Sequence, residues 1–171
     1  MSCKIIWFTG LSGAGKTTLS DALSKKLFNL DYKLIKIDGD VFRKKKKNVN
    51  NFSKKNILKN NKMIIHHVDK LQKKYEFIIV SVISPLLETR KEAKKKFGRN
   101  YFEIFVKCSL KTLIKRDTKG LYKSALQKKI KNLIGFNSKI VYEKSKYKKI
   151  TINTEKYNIK ESLDKIINKI I

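Results

Sequence analysis

The residues best suited to chemistry lie near the N-terminus, in Gly10-Leu11-Ser12-Gly13-Ala14-Gly15-Lys16-Thr17-Thr18. The first eight fit G-x-x-x-x-G-K-[ST], the phosphate-loop pattern. Gly10, Gly13 and Gly15 let the backbone curl with its N–H groups turned inward around phosphate oxygens. Lys16 would reach the β- and γ-phosphates of a nucleoside triphosphate, and the Thr17 hydroxyl would hold Mg²⁺. The pattern means little unless a strand precedes it and a helix follows it. Both are present. Ile5-Ile6-Trp7-Phe8-Thr9 is a short apolar run of buried-strand type, and Leu19, Ala22, Leu23 and Leu27 recur at helical spacing between Thr18 and Phe28.

A second set of chemical residues follows Lys33-Leu34-Ile35-Lys36-Ile37, which reads as a strand. Asp38-Gly39-Asp40-Val41-Phe42-Arg43 then places two carboxylates and a guanidinium at a strand end, where α/β sheets bind ligands. One of the two carboxylates is expected to orient Mg²⁺, and the other to accept a proton from a hydroxyl being phosphorylated. Arg43 on the same rim suits an anionic acceptor group. Ser84, after the apolar run Phe77-Ile78-Ile79-Val80-Ser81-Val82-Ile83, is expected at another strand end facing the phosphate loop. There it would bind the acceptor or cap the next helix, with Pro85 in the first turn. Arg116-Asp117-Thr118-Lys119-Gly120-Leu121-Tyr122 reads as a lid that brings positive charge and excludes water.

The elements that must position these groups alternate along the chain. Residues 53–71 form an amphipathic helix, 86–97 a helix carrying Arg90 and ended by Gly98, and 101–108 a fourth strand. Residues 110–116 are a short helix, 123–134 a basic helix and 135–149 a loop. Residues 150–153 are a last strand, and a helix follows, capped by Asn158 with Glu161 three residues on. Lys44 to Asn51 lacks apolar periodicity and reads as a surface loop. The expected fold is α/β, a parallel P-loop-type sheet sandwiched by helices with a lid segment, in one domain spanning 1–171. Adjacent His66 and His67 point to different sides of a helix and have no partner at ligand spacing.

Composition narrows the class. No apolar run reaches membrane-spanning length, two cysteines suggest neither a disulfide framework nor a metal cluster, and no secretory pattern opens the chain. The expectation is a cytoplasmic protein. A formal charge of +28 raises nucleic-acid binding. The basic residues are nonetheless spread along the chain with asparagine and isoleucine, as AT-rich codons would give, so no nucleic-acid partner is expected. Against that lysine background arginine stands only at 43, 90, 99 and 116, which marks those positions for a planar fork that lysine cannot imitate.

These stretches, together with Phe52-Ser53 and Ile83-Ser84-Pro85, resemble adenylylsulfate (APS) kinase from end to end. The resemblance implies ATP and Mg²⁺, transfer of the γ-phosphoryl group to the 3′-hydroxyl of a 5′-substituted nucleotide, and a homodimer. It implies ATP binding by residues 10–18 with Arg116, and metal binding by Thr17 and Asp38. It implies acceptor contacts from Asp40, Arg43, Phe52, Asn60, Ile83, Ser84, Lys119, Gly120 and Leu121. Ser84 matches a serine described in that family as a phosphoserine intermediate, though in-line transfer with both substrates bound needs no covalent step.

The chain departs from the family pattern on the acceptor side. Ile57 stands where the family has an arginine gripping the acceptor, Leu87 where Ser-Pro-x-Arg ends, and Leu133 where a phenylalanine closes an aromatic sandwich with the partner of Phe52. One lost charge-assisted contact costs roughly 1.5–3 kcal/mol. Ile57 is therefore expected to mark a changed acceptor. Relatives tied to capsule phosphoramidate synthesis phosphorylate cytidine 5′-diphosphoramidate, and the chain is expected to resemble those. The alternatives are an APS kinase with an altered site and a basic nucleic-acid-binding P-loop protein.

Overall fold

The computed structural model describes residues 2–44, 53–145, 147 and 149–171, with the side chains of 43 and 44 left out. Five parallel strands form one sheet: β1 (Lys4–Thr9), β2 (Leu34–Asp38), β3 (Phe77–Ser81), β4 (Tyr101–Lys107) and β5 (Ile150–Asn153), in the spatial order β2-β3-β1-β4-β5. Ile5 of β1 sits in register with Ile78 on one side and Tyr101 on the other. Ile5, Ile6, Trp7 and Phe8 are fully buried. A strand covered on both faces needs an unbroken apolar run rather than alternation, and β1 has one.

Successive side chains of β1 divide two cores. Ile6 and Phe8 pack with α1 (Lys16–Phe28) and α7 (Ile159–Ile170) through Leu19, Leu23, Ile166 and Ile170. Ile5 and Trp7 pack with α3 (Lys54–Leu71) and α4 (Leu87–Phe97) through Ile64, Val68, Ala93 and Phe97. Each fully buried large apolar side chain contributes roughly 1.5–3 kcal/mol. Because all strands run one way, their carboxyl ends open on one edge, where β1 meets the glycine loop and β2 delivers Asp38.

Local signals worked where partners are close in sequence. Ser53 caps α3 by accepting from Asn56 N–H, and Asn158 with Glu161 forms a capping box at α7. Three expectations need correction. Lys44, expected to open a surface loop, instead ends a short helix, α2 (Gly39–Lys44), whose start is capped by Asp38 Oδ1 accepting from the N–H groups of Asp40 and Val41, while the rest of that expected loop lies outside the described residues. Pro85 lies before α4, not in its first turn, and Leu86 is the N-cap. After α5 (Leu110–Arg116), the basic segment forms only α6 (Leu121–Leu126), not a helix to 134. Lys128 turns left-handed at φ 59°, and Lys129 N–H bonds back to Ser124 while Lys128 N–H bonds to Ala125, closing α6 as a Schellman motif.

Candidate active site

β1 ends at Thr9, and the chain winds through Gly13 (φ 75°) and Gly15 (φ 99°) before α1 begins at Lys16. These left-handed turns gather backbone N–H groups into a nest. Gly15 offers no capping side chain and the first turn of α1 holds no acid, so its positive end faces the loop uncompensated. Lys16 Nζ donates to Leu11 O at 2.7 Å and has no carboxylate within ion-pair distance among the described residues. Burial pulls its pKa from 10.5 down to about 8, with Asp40 and Asp38 pulling back and Lys119 adding to the drop. A desolvated ammonium beside an uncapped helix fits a polyphosphate.

The acidic rim faces this loop. Gly39 lets α2 turn directly off β2: a Cβ there would meet Val82 Cγ2 at 2.7 Å. Asp38, Asp40, Lys16, Thr17 and Thr18 line one cavity of about 310 Å³ together with Ser12, Ile83, Arg116, Thr118 and Lys119. Asp40 Oδ2 accepts from Lys119 Nζ at 2.8 Å, so rim and lid meet across the cavity mouth. Exposed Thr17 and half-buried Asp38 offer oxygen donors on one wall, the hard donor set that suits Mg²⁺.

The lid is tied to the loop from below. Asp117 accepts from the N–H groups of Tyr122 and Lys123, and Tyr122 Oη donates to Ser12 O at 2.9 Å. Arg116 donates to Thr154 O at 2.9 Å, while Thr154 Oγ1 donates to Ala14 O. A wider hollow of about 650 Å³ leaves the cavity at Gly15, Thr18 and Arg116 and runs past Thr154, Tyr157 and Ile159. Glu155 braces the start of α5, accepting from Thr112 and Ser109, and these bonds hold its carboxyl down at about 2.

Several sequence candidates stand elsewhere. Ser84 does not face the cavity: it is 1% exposed, its Oγ lies 3.3 Å from Thr89 Oγ1, and its backbone is left-handed at φ 43°. A non-glycine residue in that region costs of order 1–3 kcal/mol. Ile57 is buried with Leu86 and Ile134 in an apolar cluster, so packing rather than a ligand explains its side chain. Asn60 is half-buried on α3. Gly120 is the N-cap of α6 and Leu121 packs on the larger core. Leu133 belongs to that core, and Phe136 meets Tyr122 edge-on at 5.9 Å. Gly10, Leu11 and Ala14 shape the loop as backbone. Phe52 and the Arg43 side chain lie outside the described residues.

Sequence reasoning missed Thr118 as a lining residue and Thr154 as the anchor of Arg116. Spacing gives no signal for the second, because the partners are 38 residues apart. Arginine's rarity did point at Arg90, whose buried fork donates to the backbone oxygens of Ser84 and Glu143.

A parallel sheet with this glycine loop, rim and lid defines a P-loop phosphotransferase. The sequence profile of the adenylylsulphate kinase family matches residues 2–153. The chain is 37% identical over 164 residues to a probable adenylyl-sulfate kinase of Pyrococcus abyssi, covering 96% of this chain and 92% of the relative. It is 39% identical over 166 residues to the adenylyl-sulfate kinase of Oceanobacillus iheyensis, covering 96% and 82%. Its fold superposes on the Mycobacterium tuberculosis APS kinase solved with AMPPNP and APS at a TM-score of 0.88 and 28% identity, over 98% of this chain and 96% of that one. The chain belongs to the adenylylsulphate kinase family. It is an ATP-dependent kinase that works with Mg²⁺. Among the described residues no helix is long and apolar enough to cross a membrane.

Proposed function

We propose that the chain transfers the γ-phosphoryl group of ATP to the 3′-hydroxyl of adenylylsulfate. The observation that carries this is the single cavity in which Lys16, Thr17, Asp38, Asp40, Arg116 and Lys119 converge, in a chain whose relatives are named for that substrate. The loop of residues 10–18 cradles the triphosphate, and Lys16 answers its β- and γ-oxygens. The hollow beyond Arg116 takes the base and ribose of ATP. Thr17 and Asp38 hold Mg²⁺, which neutralises charge on the phosphate oxygens when bound. Asp40 accepts the proton of the attacking hydroxyl. It is paired with Lys119, so the pair opens as phosphate draws Lys119 away. Arg43, Phe52, Asn60 and Ile83 complete the acceptor side. We take the enzyme to be a cytoplasmic homodimer of single-domain chains without a nucleic-acid partner.

Cytidine 5′-diphosphoramidate is the second reading. It is favoured by the absence of arginine at 57 and of an aromatic at 133, and weakened by the burial of both residues in apolar clusters. Adenylylsulfate is favoured by the names of the relatives above and by the APS bound in the Mycobacterium tuberculosis enzyme. The test is ADP release with APS, cytidine diphosphoramidate, CDP and CMP, with ³¹P NMR locating the new phosphate. APS is expected to give the highest kcat/KM. Faster turnover of the cytidine compound would transfer the assignment to it.

A further inference from the structure

A charged network lies buried behind the active site and reaches it. Arg90 on α4 is 0% exposed and Glu103 on β4 is 3% exposed, with Arg90 Nε 3.5 Å from Glu103 Oε2. The guanidinium donates to Ser84 O at 2.5 Å, to Glu143 O and to Ser145 Oγ at 3.3 Å. Glu103 accepts from Ser145 and Tyr147 hydroxyls. The guanidinium also lies 4.8 Å over the ring of Tyr142, which stacks on Phe105 at 5.2 Å.

Tyr142 carries the network to the front of the sheet. Its Oη lies 2.9 Å from Thr9 Oγ1, which donates to Ile83 O at 2.6 Å. Threonine has one hydroxyl proton and spends it on Ile83, so Tyr142 is the donor in the first bond. Gly10 N–H also points at Ile83 O, at 3.4 Å. Thr9 leads into the phosphate loop, Ile83 lines the cavity, and the left-handed turn at Ser84 is gripped by Arg90.

A buried ion pair is weak evidence for a stability role, since well-packed apolar residues often serve as well. This one spends one donor on Ser84 O of that turn and the others on Glu143 O and Ser145 Oγ, tying the turn to the segment that carries Tyr142. We infer that Arg90, Glu103 and Tyr142 are positioning residues that fix the Ile83–Ser84 turn against the entry to the phosphate loop, and so hold the acceptor-side wall at the distance phosphoryl transfer requires. Misplacing a reacting group by about 1 Å costs about 10²-fold in rate. Effects are therefore expected on acceptor use, while the loop's own nest keeps its grip on ATP. This inference rests on the kinase reading above.

The test uses the full chain carrying Tyr142→Phe, Thr9→Val and both together. Tyr142→Phe keeps the ring on Arg90 and Phe105 and removes only the hydroxyl. Each single variant is expected to lower kcat/KM for APS about 3- to 10-fold, with the KM for ATP within twofold and the melting temperature little changed. The double variant is expected to lose no more than the worse single one. Backbone hydrogen exchange in the peptide spanning 81–86 is expected to accelerate in Tyr142→Phe. Equal losses toward ATP and acceptor, additive single effects, or unchanged exchange at 81–86 would each overturn the inference. If wild-type protein releases no ADP with APS, the acceptor assignment fails by itself. The exchange measurement, which needs no acceptor, then decides the network.

Discussion

Two of the ion pairs among the described residues stand in opposite settings. Lys119 and Asp40 meet at 2.8 Å across the cavity mouth with about half of each side chain exposed. Arg90 and Glu103 meet at 3.5 Å with essentially none exposed. In the first, water screens both charges, so the pair contributes roughly 0–1 kcal/mol and a phosphate can displace the carboxylate. In the second, neither charge has water to return to, and removing one partner strands the other. The exposed pair can exchange partners during a catalytic cycle. The buried pair can only hold backbone in place.

The comparison can be broken at four points. The largest effect is expected from Lys16→Ala, which removes the cation that the phosphate loop itself supplies to the cavity; kcat should fall about 10³-fold while the circular-dichroism melt stays near wild type. Retained ADP release would remove the phosphate-loop assignment. Asp40→Asn should lower kcat at least about 10²-fold yet change stability by less than about 1 kcal/mol. A large loss of stability in chemical denaturation would mean that the exposed pair is structural after all.

Arg90→Ala should show the reverse balance in stability. It should cost roughly 3–5 kcal/mol, a melting temperature lower by roughly 10 °C. Arg90→Met with Glu103→Leu should cost less than either single truncation, because no charge is left stranded. A double variant worse than both would deny that desolvation governs the pair.

The smallest effect is a proton. Burial lowers Lys16 to about 8, so the free enzyme loses that charge as pH rises through 8, whereas bound phosphate favours the ammonium. Nucleotide affinity should fall between pH 7 and 9, and binding at pH 8.5 should take up part of a proton, measurable by calorimetry in buffers of different ionisation enthalpy. The unfolded chain binds more protons than the folded one between about pH 8 and 10.5, so the same group makes folding more favourable as pH rises through that window. Proton release on binding would contradict the assignment.

What the sequence determined is what neighbours in the chain can decide. The phosphate loop follows from glycine spacing between an apolar run and an amphipathic segment. The Ser53 cap and the Asn158–Glu161 box follow from residues three apart. Asp38 falls at the end of its strand because the apolar run stops there. Each is a choice among few local conformations, and side-chain type biases it directly.

Only the tertiary structure decided which distant groups meet. Lys119 finds Asp40 across 79 residues, and Arg90 finds Glu143 across 53. The same packing placed Ile57 among apolar side chains and turned Ser84 inward, although a strand-end serine reads from sequence as a site residue. Strand order fixes these meetings: β1 lies between β3 and β4, and that order is a global compromise of buried area against chain entropy that no local stretch encodes.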